Sequence, residues 1–285
     1  MKNKYLTQDN IRKFIESALL EDVGTGDHST LAALPNGTTG SAKLLIKEDG
    51  IIAGLELAKM IFQYYDPELQ VELHLKDGDK VKKGDIGLTV TGLAASILTT
   101  ERLVLNCMQR MSAIATKTNR LASSIKHTKT KLLDTRKTTP NFRMLEKWAV
   151  SIGGGKNHRF ALYDMIMLKD NHVDFAGGIS EAITATKDYL KRKHLDLKIE
   201  VETRNIDEVK QVIETGGVDF IMLDNMDCDT IREAVALIGG KYLTEASGGI
   251  TEETIKDIAE CGVDFISVGA LTHHVKSMDI SLKAM

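Results

Sequence analysis

Two hydrophobic patterns divide the chain into regions of different character. In the first third, apolar residues at helical spacing predict a helix from Gln8 to Leu20. Short apolar segments punctuated by Gly and Asp predict strands at Ala42–Lys47, Val71–Leu75 and Ile86–Thr91. From about residue 96 to residue 126, apolar side chains recur every three or four residues without Pro or Gly, which predicts one long helix.

After the long helix, strand-like and helix-like segments alternate. Short β-branched or aliphatic runs end in polar or glycine-containing loops, and helical stretches separate them. The strand-like runs cover residues 132–135, 165–170, 199–203, 219–225, 242–249 and 264–270, and the helix candidates cover 179–193, 206–215, 229–238 and 251–261.

This alternation predicts the fold class. Nearly continuous apolar strands separated by helices are typical of a parallel sheet covered by helices. Six or seven such units favour an α/β protein with a small or incomplete barrel, and the runner-up is an open doubly wound sheet. No GxGxxG turn follows the first strand, which counts against a dinucleotide-binding version of that sheet.

Composition and charge place the chain among ordinary globular proteins. Its 285 residues are 42% hydrophobic and 27% charged, which excludes disordered and collagen-like scaffolds. A formal charge of −3 argues against a nucleic-acid partner, and no apolar run has the length of a membrane span. Cys107, Cys228 and Cys261 form no CxxC pair, so neither a disulfide framework nor a zinc site is predicted. The N-terminus shows no signal-peptide pattern, and we expect a cytoplasmic protein.

Charged and small residues cluster at the predicted carboxyl ends of the strands, where active sites of such barrels lie. Convergent arginines suit carboxylates or phosphates, paired carboxylates beside an anionic pocket suit Mg²⁺, and glycine turns suit a phosphate monoester. The pattern therefore favours a substrate with several negative groups and a sugar phosphate. In chain order the candidates are Arg136, Lys137, His158, Arg159, Lys169, Glu202, Asp224, Ser247, Gly248, Gly249 and Gly269.

Each of these features also has a purely structural interpretation. An Arg-Lys pair is commonly part of a solvated loop, and Glu202 and Asp224 fit ion-pair partners of barrel lysines. Glycines after a strand commonly form turns. Three such features at successive strand ends of one face favour the functional interpretation.

The motifs that carry these residues resemble the quinolinate phosphoribosyltransferase family. The stretch LLDTRKTTPNFRMLEKWAVSIGGGKNHRFALYDMIMLKDNH (132–172) resembles the family signature, and EDVGTGDHST, TERLVLNCMQRMSAIAT, IMLDN, EASGGI and DFISVGALTHHVKSMDISLK follow the family in order. The resemblance implies an N-terminal α/β sandwich domain (1–115, with 271–285 packing back on it). It also implies an incomplete α/β barrel of six or seven strands (116–270).

The resemblance further implies a reaction and its participants. Quinolinate and phosphoribosyl pyrophosphate become nicotinate mononucleotide, pyrophosphate and CO2, with Mg²⁺, in de novo NAD biosynthesis. The implied assembly is a homodimer or an assembly of dimers, with the active site at the subunit interface. Arg102 is expected to reach the quinolinate bound by a neighbouring subunit.

Residue roles follow from the same resemblance. Lys137, Lys169, Glu202 and Asp224 are implied to be catalytic and to bind phosphoribosyl pyrophosphate, and the two acids are implied to bind Mg²⁺ directly or indirectly. The quinolinate pocket is implied at Arg102, Arg136, His158 and Arg159, and the phosphate loops at Ser247, Gly248, Gly249 and Gly269.

Two positions depart from the family pattern, and three rival functions stay open. Asn141 stands where glycine is common after TTP, and Arg204 follows Glu202-Thr203 where the family favours an apolar-acidic pair. The rivals are a related phosphoribosyltransferase for another aromatic acid, a non-catalytic sugar-phosphate-binding barrel, and an aldolase-like Schiff base at Lys169. The complete set of cations and carboxylates favours quinolinate transfer.

Overall fold

The computed structural model describes residues 4–285; the first three residues of the predicted N-terminal domain lie outside this range. The chain forms two compact units. Unit 1 comprises the residues up to Asn119, Thr138–Gly154 and Ala270–Met285, and unit 2 comprises Arg120–Lys137 and Gly155–Gly269. The segment Thr138–Gly154, which the sequence analysis included in the barrel domain, thus groups with unit 1.

Helices and strands alternate along most of the chain. The helices are α1 (Gln8–Val23), α2 (His28–Ala33), α3 (Leu55–Tyr65), α4 (Ala94–Ser124), α5 (Arg143–Ile152), α6 (Asp170–Ala176), α7 (Ile179–Lys193), α8 (Ile206–Thr215), α9 (Cys228–Ile238), α10 (Ile255–Glu260) and α11 (Ala270–His273). The strands are β1 (Thr39–Ile46), β2 (Gly50–Ile51), β3 (Gln70–Leu73), β4 (Lys80–Val81), β5 (Ile86–Leu93), β6 (Lys131–Leu133), β7 (Ile166–Leu168), β8 (Ile199–Thr203), β9 (Phe220–Asp224), β10 (Leu243–Ser247), β11 (Phe265–Ser267) and β12 (Ile280–Ala284).

Unit 1 contains an antiparallel sheet with the strand order β12-β1-β5-β3. Inward-facing side chains of β1 such as Leu44 and Ile46 are fully buried, because successive residues of a strand point to opposite faces. The C-terminal strand β12 pairs with β1, with Leu282 opposite Leu44. The chain's last residues therefore complete the sheet of unit 1.

Unit 1 also contains a buried ion pair between α4 and α5. The carboxylate of Glu146 is fully buried and accepts hydrogen bonds from Arg110 Nε (3.1 Å) and Nη2 (2.9 Å). The same carboxylate accepts from the Thr139 backbone N–H (3.2 Å) and hydroxyl (2.9 Å). These four bonds offset the cost of burying the charge and fix the loop that starts directly after Lys137.

Unit 2 contains a parallel sheet with the order β6-β11-β10-β9-β8-β7. From β7 to β11 the strands are neighbours in chain order, and the sheet then continues from β11 to β6. A doubly wound sheet reverses its winding direction at a switch point, and this sheet does not, so the runner-up prediction is wrong. Within residues 4–285 the edge strands β6 and β7 are not paired with each other, so the barrel is incomplete and has six strands. The predicted α/β fold class is confirmed.

Capping residues set where the helices of unit 2 begin. Asn205 accepts a hydrogen bond from Glu208 N–H (3.0 Å) at the start of α8, and Asp227 accepts from Thr230 N–H (2.8 Å) at the start of α9. Both caps follow a strand within four residues, so the loops at this edge of the sheet are short. Among residues 4–285, no helix has both the length and the apolar character needed to cross a bilayer.

Candidate active site

A cavity of about 600 Å³ opens at the carboxyl ends of the strands of unit 2. Its volume lies within the range of roughly 300–1,000 Å³ that is usual for ligand pockets. The residues that line it are Thr135, Arg136, Lys137, His158, Arg159, Met167, Lys169, Glu202, Met222, Asp224, Asn225, Glu245, Ser247, Gly248, Gly249 and Ser267.

The strand period of two arranges this lining in two layers. The upper layer consists of residues at the strand ends: Lys169 after β7, Glu202 on β8, Asp224 on β9 and Ser247 on β10. Two residues earlier on the same strands, side chains of the same face form a lower layer. That lower layer comprises Met167, Met222 and Glu245, with Ser267 on β11, and the fully buried Glu200 lies at the same level of β8 without lining the cavity.

The cationic side of the cavity lies at the gap in the barrel. Arg136 and Lys137 follow the edge strand β6, and Lys156 forms an isolated parallel bridge with Leu133 of that strand. The fully buried Asp134 accepts hydrogen bonds from His158 N–H (2.9 Å) and Asn157 Nδ2 (2.6 Å). The segment that carries His158 and Arg159 is thereby fixed against the end of β6.

Arg159 presents a half-buried guanidinium to this side of the cavity. Its Nη1 donates to Met165 O (3.1 Å), whereas its buried Nε has no hydrogen-bond partner among the described residues. Burial lowers the pKa of Arg159, and the neighbouring Arg136 lowers it further. Two like charges held together in this way are well placed for an anion with more than one negative group.

At the ends of β7 and β8, Lys169 and Glu202 form an ion pair. Lys169 Nζ lies 3.1 Å from Glu202 Oε2, and the Glu202 side chain is almost buried, with 9% of its surface exposed. The Lys169 side chain is 47% exposed and reaches the pair from the rim. A charged substrate group entering here meets both a mobile cation and a fixed carboxylate.

Asn225 and Gly248 form the glycine-rich end of the cavity. Asn225 adopts a left-handed conformation (φ 54°), its N–H donates to Ser247 O (2.8 Å), and its Nδ2 donates to Asp224 Oδ2 (2.7 Å). Gly248 also has positive φ (92°), and a Cβ there would clash with the side chain of Asn225. Only glycine fits this close approach, which leaves the backbone accessible to a phosphate.

Beneath the cations lies a buried cluster of His158, Glu200 and Glu245. His158 Nε2 lies 2.9 Å from Glu200 Oε2 and 3.3 Å from Glu245 Oε2. The Glu200 and Glu245 side chains are 0% and 1% exposed, and the His158 side chain is 7% exposed. The backbone N–H of Arg159 donates to the other ring nitrogen, Nδ1, at 2.7 Å.

The protonation of this cluster involves opposing effects. Burial lowers the pKa of His158, but the adjacent side chains of Glu200 and Glu245 outweigh burial and raise it. Burial and the neighbouring Glu245 raise the pKa of Glu200 to about 7. One shared proton therefore lies either on the ring or on a carboxyl group. We favour the carboxyl group, because a protonated Nδ1 has no lone pair to accept the Arg159 N–H.

The structure brings most of the predicted site residues into one cavity. Arg102 is exposed on α4 of unit 1, and Gly269, the last residue of unit 2, is not among the residues that line the cavity. Sequence reasoning missed Glu200, Glu245 and Asn225. The period-two spacing from Glu202 and Ser247 was the signal for the two acids.

Sequence comparison assigns almost the whole chain to two domains of one family. Residues 27–112 match the model of the "Quinolinate phosphoribosyl transferase, N-terminal domain", and residues 114–283 match that of the corresponding C-terminal domain. The chain is 48% identical over 289 aligned residues to the chloroplastic nicotinate-nucleotide pyrophosphorylase [carboxylating] of Arabidopsis thaliana, covering 96% of this chain and 82% of that protein.

Further relatives agree in sequence and in structure. A mitochondrial quinolinate phosphoribosyltransferase [decarboxylating] of Nicotiana glauca is 47% identical, with the same coverage. The solved structure of the nicotinate-nucleotide pyrophosphorylase from Francisella tularensis superposes with a TM-score of 0.90 at 39% identity, covering 98% of each chain. The chain therefore belongs to the quinolinate phosphoribosyltransferase family.

Proposed function

We propose that this protein transfers the phosphoribosyl group of phosphoribosyl pyrophosphate to quinolinate and releases CO2. The products are nicotinate mononucleotide and pyrophosphate, which places the reaction in NAD biosynthesis. The observation that carries the proposal is one cavity lined by cations after β6 and β7, by carboxylates on β8 and β9, and by a glycine turn after β10. The order of these groups matches the order of charges along the two substrates.

The cationic end is assigned to quinolinate, a pyridine ring with two adjacent carboxylates. Arg136 and Arg159 supply guanidinium groups that bind carboxylates bidentately, and Lys137 supplies a point charge. His158 belongs to the same end, where its ring lines the cavity. A dianion offsets the repulsion between Arg136 and Arg159, which explains why the site tolerates two adjacent arginines.

The other end is assigned to phosphoribosyl pyrophosphate. Glu202 and Asp224 face the ribose hydroxyls, and Ser247, Gly248 and Gly249 bind the 5′-phosphate, with Gly269 continuing this end. The two acids also fit Mg²⁺, because this ion usually takes one or two protein carboxylates and completes its shell with substrate phosphate and water. A bound Mg²⁺ supplies charge neutralisation for the pyrophosphate group.

The proposed chemistry needs no nucleophilic side chain. The quinolinate ring nitrogen attacks C1 of the ribose, the C1–oxygen bond breaks, and pyrophosphate leaves with the electron pair. Lys137 and Lys169 stabilise this leaving group, and Glu202 and Asp224 stabilise the positive charge that develops on the ribose. The resulting pyridinium accepts the electron pair of the breaking C2–carboxylate bond, CO2 leaves, and C2 takes up a proton. The residues act mainly by positioning and charge.

We further propose a homodimer in which Arg102 acts in trans, with higher assemblies built from such dimers. Three large, exposed apolar side chains near the site support an interface. Leu162 (70% exposed) and Tyr163 (72% exposed) lie shortly after Arg159 in the chain. Phe175 (91% exposed) lies on α6, the helix that begins directly after Lys169. Exposed apolar groups of this size commonly mark interaction surfaces.

The same proposal includes a cytoplasmic location. The three cysteines of the chain are free thiols, as expected in a reducing compartment. Two relatives carry chloroplastic and mitochondrial locations in their names. Cell fractionation with an antibody against this protein tests the location, and recovery with an organelle would contradict it.

The function is tested with purified protein, phosphoribosyl pyrophosphate and Mg²⁺, supplied in turn with quinolinate, nicotinate or nicotinamide. We expect nicotinate mononucleotide from quinolinate alone. Turnover of nicotinate without CO2 release would favour a phosphoribosyltransferase for another aromatic acid. Binding of phosphoribosyl pyrophosphate without turnover of any acid would favour a non-catalytic barrel.

A further inference from the structure

The cluster of His158, Glu200 and Glu245 has no step in the chemistry above, yet it lies directly beneath the quinolinate end. Two fully buried acids on β8 and β10 are unusual in a pocket that binds a dianion, because they oppose its charge. Their geometry therefore needs a separate explanation.

Both ring nitrogens of His158 are engaged inside the protein. Nε2 faces Glu200 Oε2 at 2.9 Å and Glu245 Oε2 at 3.3 Å, and Nδ1 accepts the backbone N–H of Arg159 at 2.7 Å. A hydrogen bond from either nitrogen to a substrate would have to replace one of these contacts. The ring thus connects the two acids to the backbone of Arg159.

A metal centre is the main alternative for three such side chains, whose candidate ligand atoms lie within 4.8 Å of one another. A histidine that binds a metal usually donates its second ring N–H to a carboxylate or carbonyl group. In this cluster the second nitrogen of His158 accepts a hydrogen bond instead, so the proton of the neutral ring is on Nε2 and faces the acids. This arrangement favours a hydrogen-bonded cluster.

The contacts around Arg159 show what this cluster fixes. Asp134 holds the His158 backbone N–H at 2.9 Å, and the ring holds the Arg159 N–H. The Arg159 guanidinium donates to Met165 O (3.1 Å) and, weakly, to Met167 Sδ (3.6 Å), and its Nε has no partner among the described residues. The position of this guanidinium therefore depends strongly on how its backbone is held.

We propose that Glu200 and Glu245 are positioning residues for the quinolinate end, which hold the His158 ring so that its Nδ1 fixes the backbone of Arg159. The proposal rests on the proposed function, because it assumes that Arg159 binds quinolinate. Glu200 acts as the hydrogen-bond acceptor of Nε2, and Glu245 Oε2 faces the same nitrogen at 3.3 Å. An amide oxygen at the same place preserves this contact, whereas a methyl group does not.

The test compares Glu200→Ala with the conservative Glu200→Gln, and Glu245→Ala with Glu245→Gln. For Glu200→Ala we expect the KM for quinolinate to rise about tenfold, with the KM for phosphoribosyl pyrophosphate changed less than about twofold. Glu200→Gln should restore most of the quinolinate KM, and the Glu245 pair should show the same trend with a smaller effect. Glu214→Ala, which removes an exposed acid from α8, is the matched control and should behave as wild type.

Two results would overturn the proposal. One is an equal rise of both KM values in Glu200→Ala, as expected for a general structural defect. The other is a Glu200→Gln variant that is as impaired as Glu200→Ala, which would assign the effect to charge. If the wild type does not turn over quinolinate, the proposed function fails instead.

A second measurement uses only the wild-type protein, so it depends neither on added substrates nor on whether a variant folds. In ¹⁵N-labelled wild-type protein at neutral pH, the imidazole nitrogens of His158 are assigned by NMR. We expect a protonated Nε2 and an unprotonated Nδ1. A proton on Nδ1 would remove the contact with the Arg159 N–H and would overturn the positioning role even if the enzyme turns over quinolinate.

Discussion

Replacing Arg159 by alanine is the sharpest test of the quinolinate assignment. The side chain lines the cavity, and its guanidinium donates within the protein to Met165 O and Met167 Sδ, with no carboxylate partner among the described residues. A carboxylate that binds there gains a charge-assisted hydrogen bond in a half-buried environment. Alanine removes that bond and leaves the rest of the cavity unchanged.

The expected magnitude follows from that single contact. A hydrogen bond to a charged group contributes about 1.5–3 kcal/mol, and about 1.4 kcal/mol corresponds to a factor of ten in Kd. The loss in quinolinate affinity is therefore about tenfold to a hundredfold. Burial and repulsion from Arg136 both lower the pKa of Arg159 in the native protein. Because removing Arg159 also relieves that repulsion, we expect the loss in quinolinate affinity to be close to tenfold.

Isothermal titration calorimetry with each substrate measures this effect. Quinolinate is titrated into wild type, Arg159→Ala and Arg159→Lys, and phosphoribosyl pyrophosphate with Mg²⁺ is titrated in parallel. Lysine should recover only part of the affinity, because it cannot reproduce the planar guanidinium. Arg232→Ala is the matched control, since Arg232 lies on α9 of the same unit and pairs with the exposed Asp229.

A specific role of Arg159 in quinolinate binding is refuted if Arg159→Ala weakens the binding of both substrates equally, or if Arg232→Ala weakens quinolinate binding to the same extent. Equal weakening would mean that Arg159 supports the whole cavity and has no specific role at the quinolinate end.

Three further predictions concern metal, assembly and stability. Glu202→Gln and Asp224→Asn should lower turnover and raise the Mg²⁺ concentration needed for half-maximal rate, whereas quinolinate binding should stay near that of wild type. Wild-type rates at low Mg²⁺ would mean that the two acids have only a structural role. The inactive variants Arg102→Ala and Lys137→Ala are mixed under conditions of verified subunit exchange. If each active site combines residues of two chains, a mixed dimer should regain up to about half of wild-type activity. No recovery would contradict the action of Arg102 in trans. Burial raises the pKa of Asp264, but hydrogen bonds from Lys129 and Thr244 outweigh it and hold that pKa below its ordinary value. The stabilisation is therefore present above about pH 4 and lost as pH falls through the folded-state pKa. Asp264→Asn should lower the free energy of unfolding by about 1–3 kcal/mol at pH 7 and by much less near pH 3, and an equal loss at both pH values would contradict this.

The sequence predicted the elements whose signal is local. The helices α7 and α8 have the predicted bounds, and the predicted strand 199–203 is β8, whose Ile199, Val201 and Thr203 are β-branched. The C-terminal strand β12 was missed because its partner β1 lies more than 200 residues away in sequence. The helix α3 was missed because it lies within the region interpreted as β-rich.

The candidate site shows the same division. The rule that function gathers at strand ends identified Lys169, Glu202 and Asp224, which all line the cavity. That rule missed Glu200 and Glu245, which lie two residues before the strand-end residues. The role of an acid inside a buried strand can be inferred only when its partner is known. That partner, His158, lies in a loop, and no sequence periodicity places a loop residue against two strands.

In the proposed reaction, one cavity couples phosphoribosyl transfer to loss of the quinolinate 2-carboxylate. The most direct measurement uses quinolinate labelled with ¹³C in that carboxylate and follows labelled CO2, pyrophosphate and nicotinate mononucleotide in one reaction. We expect the three products to form in equal amounts, and none to form without phosphoribosyl pyrophosphate. Labelled CO2 released without pyrophosphate, or a mononucleotide that retains the label, would contradict it.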